Sequence, residues 1–368
     1  MKILYAIQGT GNGHISRARD IIPILKLKGD VDILISGTEA DVELGYPVKY
    51  SFKGLSFVFG KKGGIDLVST YKKVRLKRFY NELKALPIQD YDLVISDFEP
   101  VSSWACRRIN KPCYALSHQS AVVNKNAPYP EKVDPVGKLI LKNYAPTTTQ
   151  YGFHFSSYDE RISTPLIRQE IRNASITNEG HYTVYLPAYS DKKILKVLGE
   201  LKEVQWQVFS KHTKVTYQKG NITICPVNNH SFIESMVSST GIICGAGFET
   251  PAEALFLKKK LIVIPMKGQY EQQCNAAALQ QLNVPVLKKL TLSRIKEIQS
   301  WIKEEDGTIL VNFPDCTEQI ITELVNHYLL SLKQQPTNEI AKVYSFKKLR
   351  KLLSKNILFK SNTINAVD

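Results

Sequence analysis

The sequence predicts an α/β protein made of two doubly wound, parallel-sheet domains that face each other. Three observations predict it. Strand-like and helix-like segments alternate along the chain. The alternation breaks once, in a polar stretch at 156–179 that contains Pro165, and then restarts. At 368 residues the chain is also long for one domain. Such alternation implies βαβ units and a parallel sheet, and ligands of these sheets sit beyond the carboxyl ends of the strands.

The first series reads as a strand at 2–6, a helix at 15–28, strands at 31–36 and 91–96, a helix at 101–109, and strands at 113–116 and 147–155. The second opens with a strand at 182–186 and continues with strands at 205–209, 221–225, 241–244 and 261–264. The expected domains are therefore 1–160 and 175–330. A third unit is expected at 338–358, where Ile340, Val343, Phe346, Leu349, Leu353 and Ile357 recur at helical spacing and lysines and arginines fill much of the other face. This basic amphipathic helix has two readings, packing back on the first domain or lying on a membrane surface, and both hold if only the apolar face docks.

Composition narrows the class. An apolar content of 43% and a charged content of 23% are ordinary for a soluble protein. No run of 18 apolar residues is present, so no transmembrane helix is expected, and residues 1–7 read as a core strand and not as a signal peptide. Six scattered cysteines form no C-x-x-C pair, which argues against a disulfide framework or zinc site and favours the cytoplasm. The net charge of +15 implies a preference for anions: nucleic acid, anionic lipid or a phosphorylated substrate. Aromatic-rich RNA signatures, zinc spacing and a helix-turn-helix pattern are all missing, so no nucleic-acid partner is expected. A cluster of basic residues between Lys61 and Arg78, interleaved with apolar ones, suits either a solvated helix face or docking on an anionic membrane.

Two glycine turns carry the chemistry. The first, Gly9-Thr10-Gly11-Asn12-Gly13-His14, follows the first strand and opens a helix. It is not a dinucleotide fingerprint, because His14 replaces the third glycine and the second strand ends on Ser36-Gly37 without a carboxylate. His14 at a helix start points into the cleft, where a near-neutral imidazole suits a general base. Asp97, just past a buried strand, is the candidate to orient it, or else caps the helix after Pro100; Glu99 is the fallback partner. His118 also follows a strand of this domain and suits either substrate contact or turn polarity.

The second turn, Gly245-Ala246-Gly247-Phe248-Glu249, opens a helix that carries Glu253. A helix N-terminus with free N–H groups is an anion site. A carboxylate one turn further in suits a ribose, and the paired amides Gln272 and Gln273 suit the hydroxyls of a hexose. Glu249 fits least well, since a carboxylate aimed inward would repel a diphosphate; its side chain is expected to point away or toward a sugar hydroxyl. Asp30-Val31-Asp32 has the letters of a metal-binding D-x-D motif but leads into a strand.

These residues resemble the GT-B glycosyltransferases, which have two Rossmann-like domains. The likeness is greatest to glycosyltransferase family 28, which holds the UDP-GlcNAc lipid-intermediate transferase and the monogalactosyldiacylglycerol synthases. It covers about residues 1–330, most specifically 1–20 and 240–280. The resemblance implies that Glu253 holds the ribose of a UDP-sugar, that Gly245, Ala246, Gly247 and Phe248 hold its diphosphate, and that Gln272 and Gln273 contact the sugar. Val227 and Asn228 would lie near the base, Ser190 on the phosphate side and His14 toward the acceptor; Gly11, Asn12, Gly13, Glu99 and His118 are placed on the acceptor side by their positions in the first domain. The Asp97 segment is similar instead to the histidine–aspartate dyad of family 1 glucosyltransferases, which points away from a lipid II-type acceptor.

The expected function is inverting, metal-independent transfer of a hexose or N-acetylhexosamine from a nucleotide sugar, a UDP-sugar by the resemblance, to the hydroxyl of a sugar or lipid-linked acceptor. No cofactor is expected, and the protein would be cytoplasmic or peripheral on the membrane. A nucleotide-sugar epimerase of the same fold is the alternative, and a basic nucleic-acid-binding protein a more distant one.

Overall fold

The computed structural model describes residues 1–37, 43–55, 76–304 and 307–333. The helix expected at 338–358 and most of the basic cluster between Lys61 and Arg78 lie outside them.

The first sheet has seven parallel strands: β1 (Lys2–Gln8), β2 (Asp30–Ser36), β3 (Tyr50–Phe52), β4 (Leu93–Asp97), β5 (Tyr114–Leu116), β6 (Thr149–Phe153) and β7 (Ile162–Ser163), in the order β3-β2-β1-β4-β5-β6-β7. The second has β8 (His181–Tyr185), β9 (Gln205–Ser210), β10 (Tyr217–Lys219), β11 (Ile222–Pro226), β12 (Gly241–Cys244) and β13 (Lys260–Val263), in the order β10-β11-β9-β8-β12-β13. Only β10, at its edge, runs antiparallel. Both sheets reverse strand order once, between β1 and β4 in the first and between β8 and β12 in the second. The crevices at such switch points are where ligands of doubly wound sheets bind.

The central strands are apolar on both faces, as expected where helices cover both sides of a parallel sheet. Along β1, Ile3, Tyr5 and Ile7 enter one core while Leu4 and Ala6 enter another. Along β12, Ile242 and Cys244 face one layer and Ile243 the opposite one. One of these cores runs unbroken from β1 and α1 (Asn12–Lys26) to β12 and β13, so the halves share apolar packing.

The remaining helices are α2 (Leu76–Ala85), α3 (Pro100–Arg108), α4 (His118–Val122), α5 (Pro135–Asn143), α6 (Gln169–Arg172), α7 (Asp191–Leu198), α8 (Asn229–Ser238), α9 (Glu249–Phe256), α10 (Tyr270–Gln281), α11 (Ile295–Lys303) and α12 (Thr317–Lys333). Several start where local chemistry dictates. Asp134 accepts from the Val136 and Gly137 N–H groups ahead of Pro135, and Asn228 accepts from the Ser231 N–H.

Two features differ from the sequence expectation. The stretch 156–179, expected as an irregular linker, adds β7 to the first sheet and holds α6. The span 175–330, expected to stay with the second sheet, gives α12 to the first domain. There α12 packs along α1, with Tyr328 edge-on to Tyr114 and the Tyr151 hydroxyl 3.1 Å from His327 Nδ1. Periodicity shows that α12 has an apolar face but not which domain receives it.

Ile320, Ile321, Leu324, Val325 and Tyr328 are buried in this packing. Leu324→Ala should cost about 2–5 kcal/mol, the range for a fully buried leucine, and equilibrium chemical denaturation measures it.

Candidate active site

The first-domain half of the site follows from strand register. β1 and β4 are neighbours, and Ile7 pairs with Asp97 across them. The chain leaves β1 through Gly11 at φ 112°, a conformation that favours glycine, and enters α1 with His14 in its first turn. His14 Nδ1 thereby lies 2.9 Å from Asp97 Oδ1. The ring sits at the cleft, while Asp97 has no exposed surface.

Asp97 and Glu99 are two residues apart but do different things. Phe98 between them takes φ 55°, unusual for a residue with a side chain, at a cost of about 1–2 kcal/mol. The bend leaves the Asp97 carboxylate toward His14 and folds Glu99 back over α3. Glu99 Oε1 accepts from the Val101 N–H and Oε2 from the Ser102 N–H, each at 2.6 Å. Of the two readings of Asp97, the orienting one holds and the capping role falls to Glu99; the expected acceptor-side place of Glu99 is corrected, since it is fully buried under α3 and does not line the cavity.

Arg17, one helical turn beyond His14, was not anticipated. Its Nη2 donates to both Asp97 oxygens at 2.8 Å and its Nη1 to Glu249 Oε1 at 2.6 Å. Glu249 therefore points neither away from the cleft nor into the anion turn, but across to the first domain. A local signal existed, since positions i and i+3 share a helix face. Burial would push the Asp97 carboxyl up, but the Arg17 guanidinium and His14 hold it below the ordinary carboxylate range. Burial pulls the His14 pKa down, but Asp97, helped by Glu249, outweighs burial and Arg17 and leaves His14 more basic than a free histidine.

The second-domain half is the start of α9. Its N-cap residue, Phe248, makes no side-chain cap hydrogen bond, so the first N–H groups of the helix open into the cleft. A cavity of about 490 Å³ lies there, lined by Gly247, Phe248, Glu249, Thr250, Glu253 and Gln272 from this side and by Gly11, Asn12, Gly13, His14 and His118 from the other. A side chain at Gly247 would meet only open space, so the protein itself does not demand a glycine there. Val227 and Asn228 also line the cavity, beside Tyr185 and Phe232, whose rings pack at 5.4 Å.

Other expected residues are placed differently. Gly245 and Ala246 lie behind the turn, and the buried Ala246 carbonyl accepts from Asn275 Nδ2. Gln273 and the exposed Ser190 do not line the cavity; Lys211 does. Gln272 spends its carbonyl on the Met266 N–H, which orients the amide. Glu253 is buried against Arg168, whose Nη2 donates to Oε2 at 2.8 Å and whose Nη1 donates to Asn229 at 2.8 Å. His118 is a fully buried joint between the halves. It stacks on Phe248 at 3.8 Å, with Nε2 lying 2.8 Å from Asn275 Oδ1 and Nδ1 lying 2.8 Å from the Phe153 carbonyl.

A histidine paired with a carboxylate on one sheet thus faces an open helix N-terminus on the other. The family model described as Glycosyl transferase family 1 matches residues 1–304. The chain belongs to this family. As a glycosyltransferase it is 24% identical over 321 residues to an uncharacterized glycosyltransferase of Methanosarcina mazei, covering 76% of this chain and 84% of that one. Its fold resembles MurG of Acinetobacter baumannii (TM-score 0.55, 15% identity, 89% of this chain and 99% of that one). It also resembles a UDP-glucosyltransferase from Polygonum tinctorium (TM-score 0.57, 12% identity, 89% and 98%). The GT-B fold expected from the two glycine turns is thereby borne out. Among the described residues of this glycosyltransferase, no helix is long and apolar enough to cross a membrane.

Glu99→Ala should lower stability by about 1–2 kcal/mol through loss of the α3 cap. Thermal or chemical denaturation measures it, and an unchanged midpoint would contradict the capping role.

Proposed function

We propose that this glycosyltransferase moves a hexose or N-acetylhexosamine from a UDP-sugar to a hydroxyl acceptor in one inverting, metal-independent displacement. The observation that carries the reading is His14, held by Asp97, facing the open start of α9 across one cavity. Asp97 only accepts, so it favours the tautomer with the proton on Nδ1 and leaves Nε2 as the basic nitrogen. Nε2 is approached by the Gln119 amide at 3.4 Å, a long contact that an acceptor hydroxyl can replace.

The acceptor oxygen forms its bond to the anomeric carbon as its proton passes to His14 Nε2. The bond from that carbon to the phosphate oxygen breaks on the opposite face, and UDP departs with the electron pair. Its charge is met by the N–H groups of 247–250 and by Lys211 instead of a metal. Glu253 accepts from the ribose hydroxyls through the carboxylate lone pairs that Arg168 leaves open, and the base lies against Tyr185 and Phe232. Gln272 contacts the sugar. The acceptor, a sugar or a lipid-linked hydroxyl, enters along Phe98 and Tyr144, whose rings pack at 4.8 Å on the first-domain wall.

A thermal-shift panel of UDP-, GDP- and TDP-sugars should show the largest stabilisation with a UDP-sugar; no shift with any of them would overturn the donor assignment. His14→Ala should lower turnover by about 10²–10⁴-fold, the range for loss of a positioned base, with UDP binding by calorimetry unchanged. The base must be neutral to act, and its folded pKa is raised. Activity should therefore rise with pH through a midpoint above the ordinary histidine value of 6.5, and Asp97→Asn should move that midpoint down. A rate independent of pH between 5 and 9 would count against His14.

A further inference from the structure

The proposed mechanism uses His14, Asp97 and the start of α9 but assigns nothing to Arg17. This buried cation touches all three. Its side chain is 3% exposed and Asp97 is 0% exposed, while Glu249 on the second domain is 29% exposed. Nη2 holds both Asp97 oxygens and lies 3.2 Å from His14 Nδ1, and Nη1 holds Glu249. Arginine only donates, so with Nδ1 protonated and donating to Asp97 the approach to His14 is a charge placed beside the ring and not a hydrogen bond.

A second observation points the same way. A Cβ built on Gly13 would lie 2.5 Å from the Glu249 carboxyl carbon and 2.5 Å from its Oε2. The Glu249 carboxylate therefore rests on the backbone of the residue just before His14, in space that only a glycine leaves. The last glycine of the first turn serves a side chain of the other domain.

We infer that Arg17 is a positioning residue that ties the start of α9 to the His14–Asp97 pair, so that the seating of the donor-side helix sets the readiness of the base. The inference rests on the reading of His14 as the base. Asp97, Arg17 and Glu249 form an alternating row of charges that ends at His14. With Glu249 seated the row is net negative, which favours the imidazolium that forms as the proton arrives. With Glu249 withdrawn, Asp97 and Arg17 cancel and that support is gone. The same helix start is where the leaving diphosphate would be held, so one element serves both donor and base. The groups facing His14 are Arg17 from α1, Asp97 from β4, Gln119 from α4 and Glu249 from α9, with Tyr5 of β1 beyond Asp97 and Arg17 and Glu271 of α10 beyond Gln119.

The test is an NMR titration of the histidine side chains of the full chain, with His14→Ala identifying the His14 signal. Glu249→Gln removes the outer charge at nearly constant shape. Gly13→Ala removes its seat and leaves every charge in place. Each should lower the His14 midpoint by about half a pH unit or more, as expected for withdrawing a unit charge at this range near a protein surface. The acid limb of turnover on the best-binding sugar nucleotide should shift by the same amount. A His14 midpoint unmoved by Glu249→Gln, with only thermal stability lowered, overturns the inference and leaves Arg17 as interdomain glue. If Gly13→Ala does not fold, Glu249→Gln decides alone. Failure of the underlying reading looks different: His14→Ala would keep its turnover whatever the titrations show.

Discussion

A carboxylate with no access to water cannot stand alone, and much of this site depends on that constraint. Asp97 is buried at the carboxyl end of β4 with no exposed surface. Taking such an ion out of water costs several kcal/mol unless other groups compensate it. Arg17 and His14 do so, and both belong to the first turns of α1, which the β1–β4 register sets directly above. Arg17, buried in turn, draws Glu249 from the second domain. Charge compensation thus runs from the first sheet across the cleft and helps to hold the halves in one arrangement.

The same demand shapes the local backbone. Two acidic residues two positions apart, Asp97 and Glu99, would lie on one face of a continued strand. The left-handed Phe98 between them separates their tasks, one charge to the cleft and the other to the N–H groups of α3. The strain sits at the site itself, where the surrounding packing over-determines it. The Phe98 ring that results lines the cavity beside Tyr144.

A second buried pair, Glu253 with Arg168, stands on the other side of the cavity. Arg168 lies between β7 and α6, in the stretch that joins the domains, so here too a connection between the halves ends on a residue of α9. His118 on Phe248 is a third. All three contacts meet the first two turns of α9, the element assigned to the donor phosphates. Three of the contacts on the start of that helix thus come from outside its own domain.

The alternation of strands and helices, the restart after a polar stretch, the two glycine turns and the His14–Asp97 pairing were legible in the residue order. Each is a local property: side-chain period, turn chemistry, or a residue type at a strand end. The likeness to the GT-B glycosyltransferases followed from the same local motifs. What the order did not disclose were the partners of Arg17, Glu249, Arg168 and Glu253, the capping role of Glu99, and the return of α12 to the first domain. A charge or an apolar face read along the chain has no partner until the chain has folded, because the groups that compensate it lie up to 232 positions away. The residue types were set by the sequence; that Arg17 meets Glu249 and Arg168 meets Glu253 was decided only when the two sheets closed around one cleft, because those partners lie on different parts of the fold.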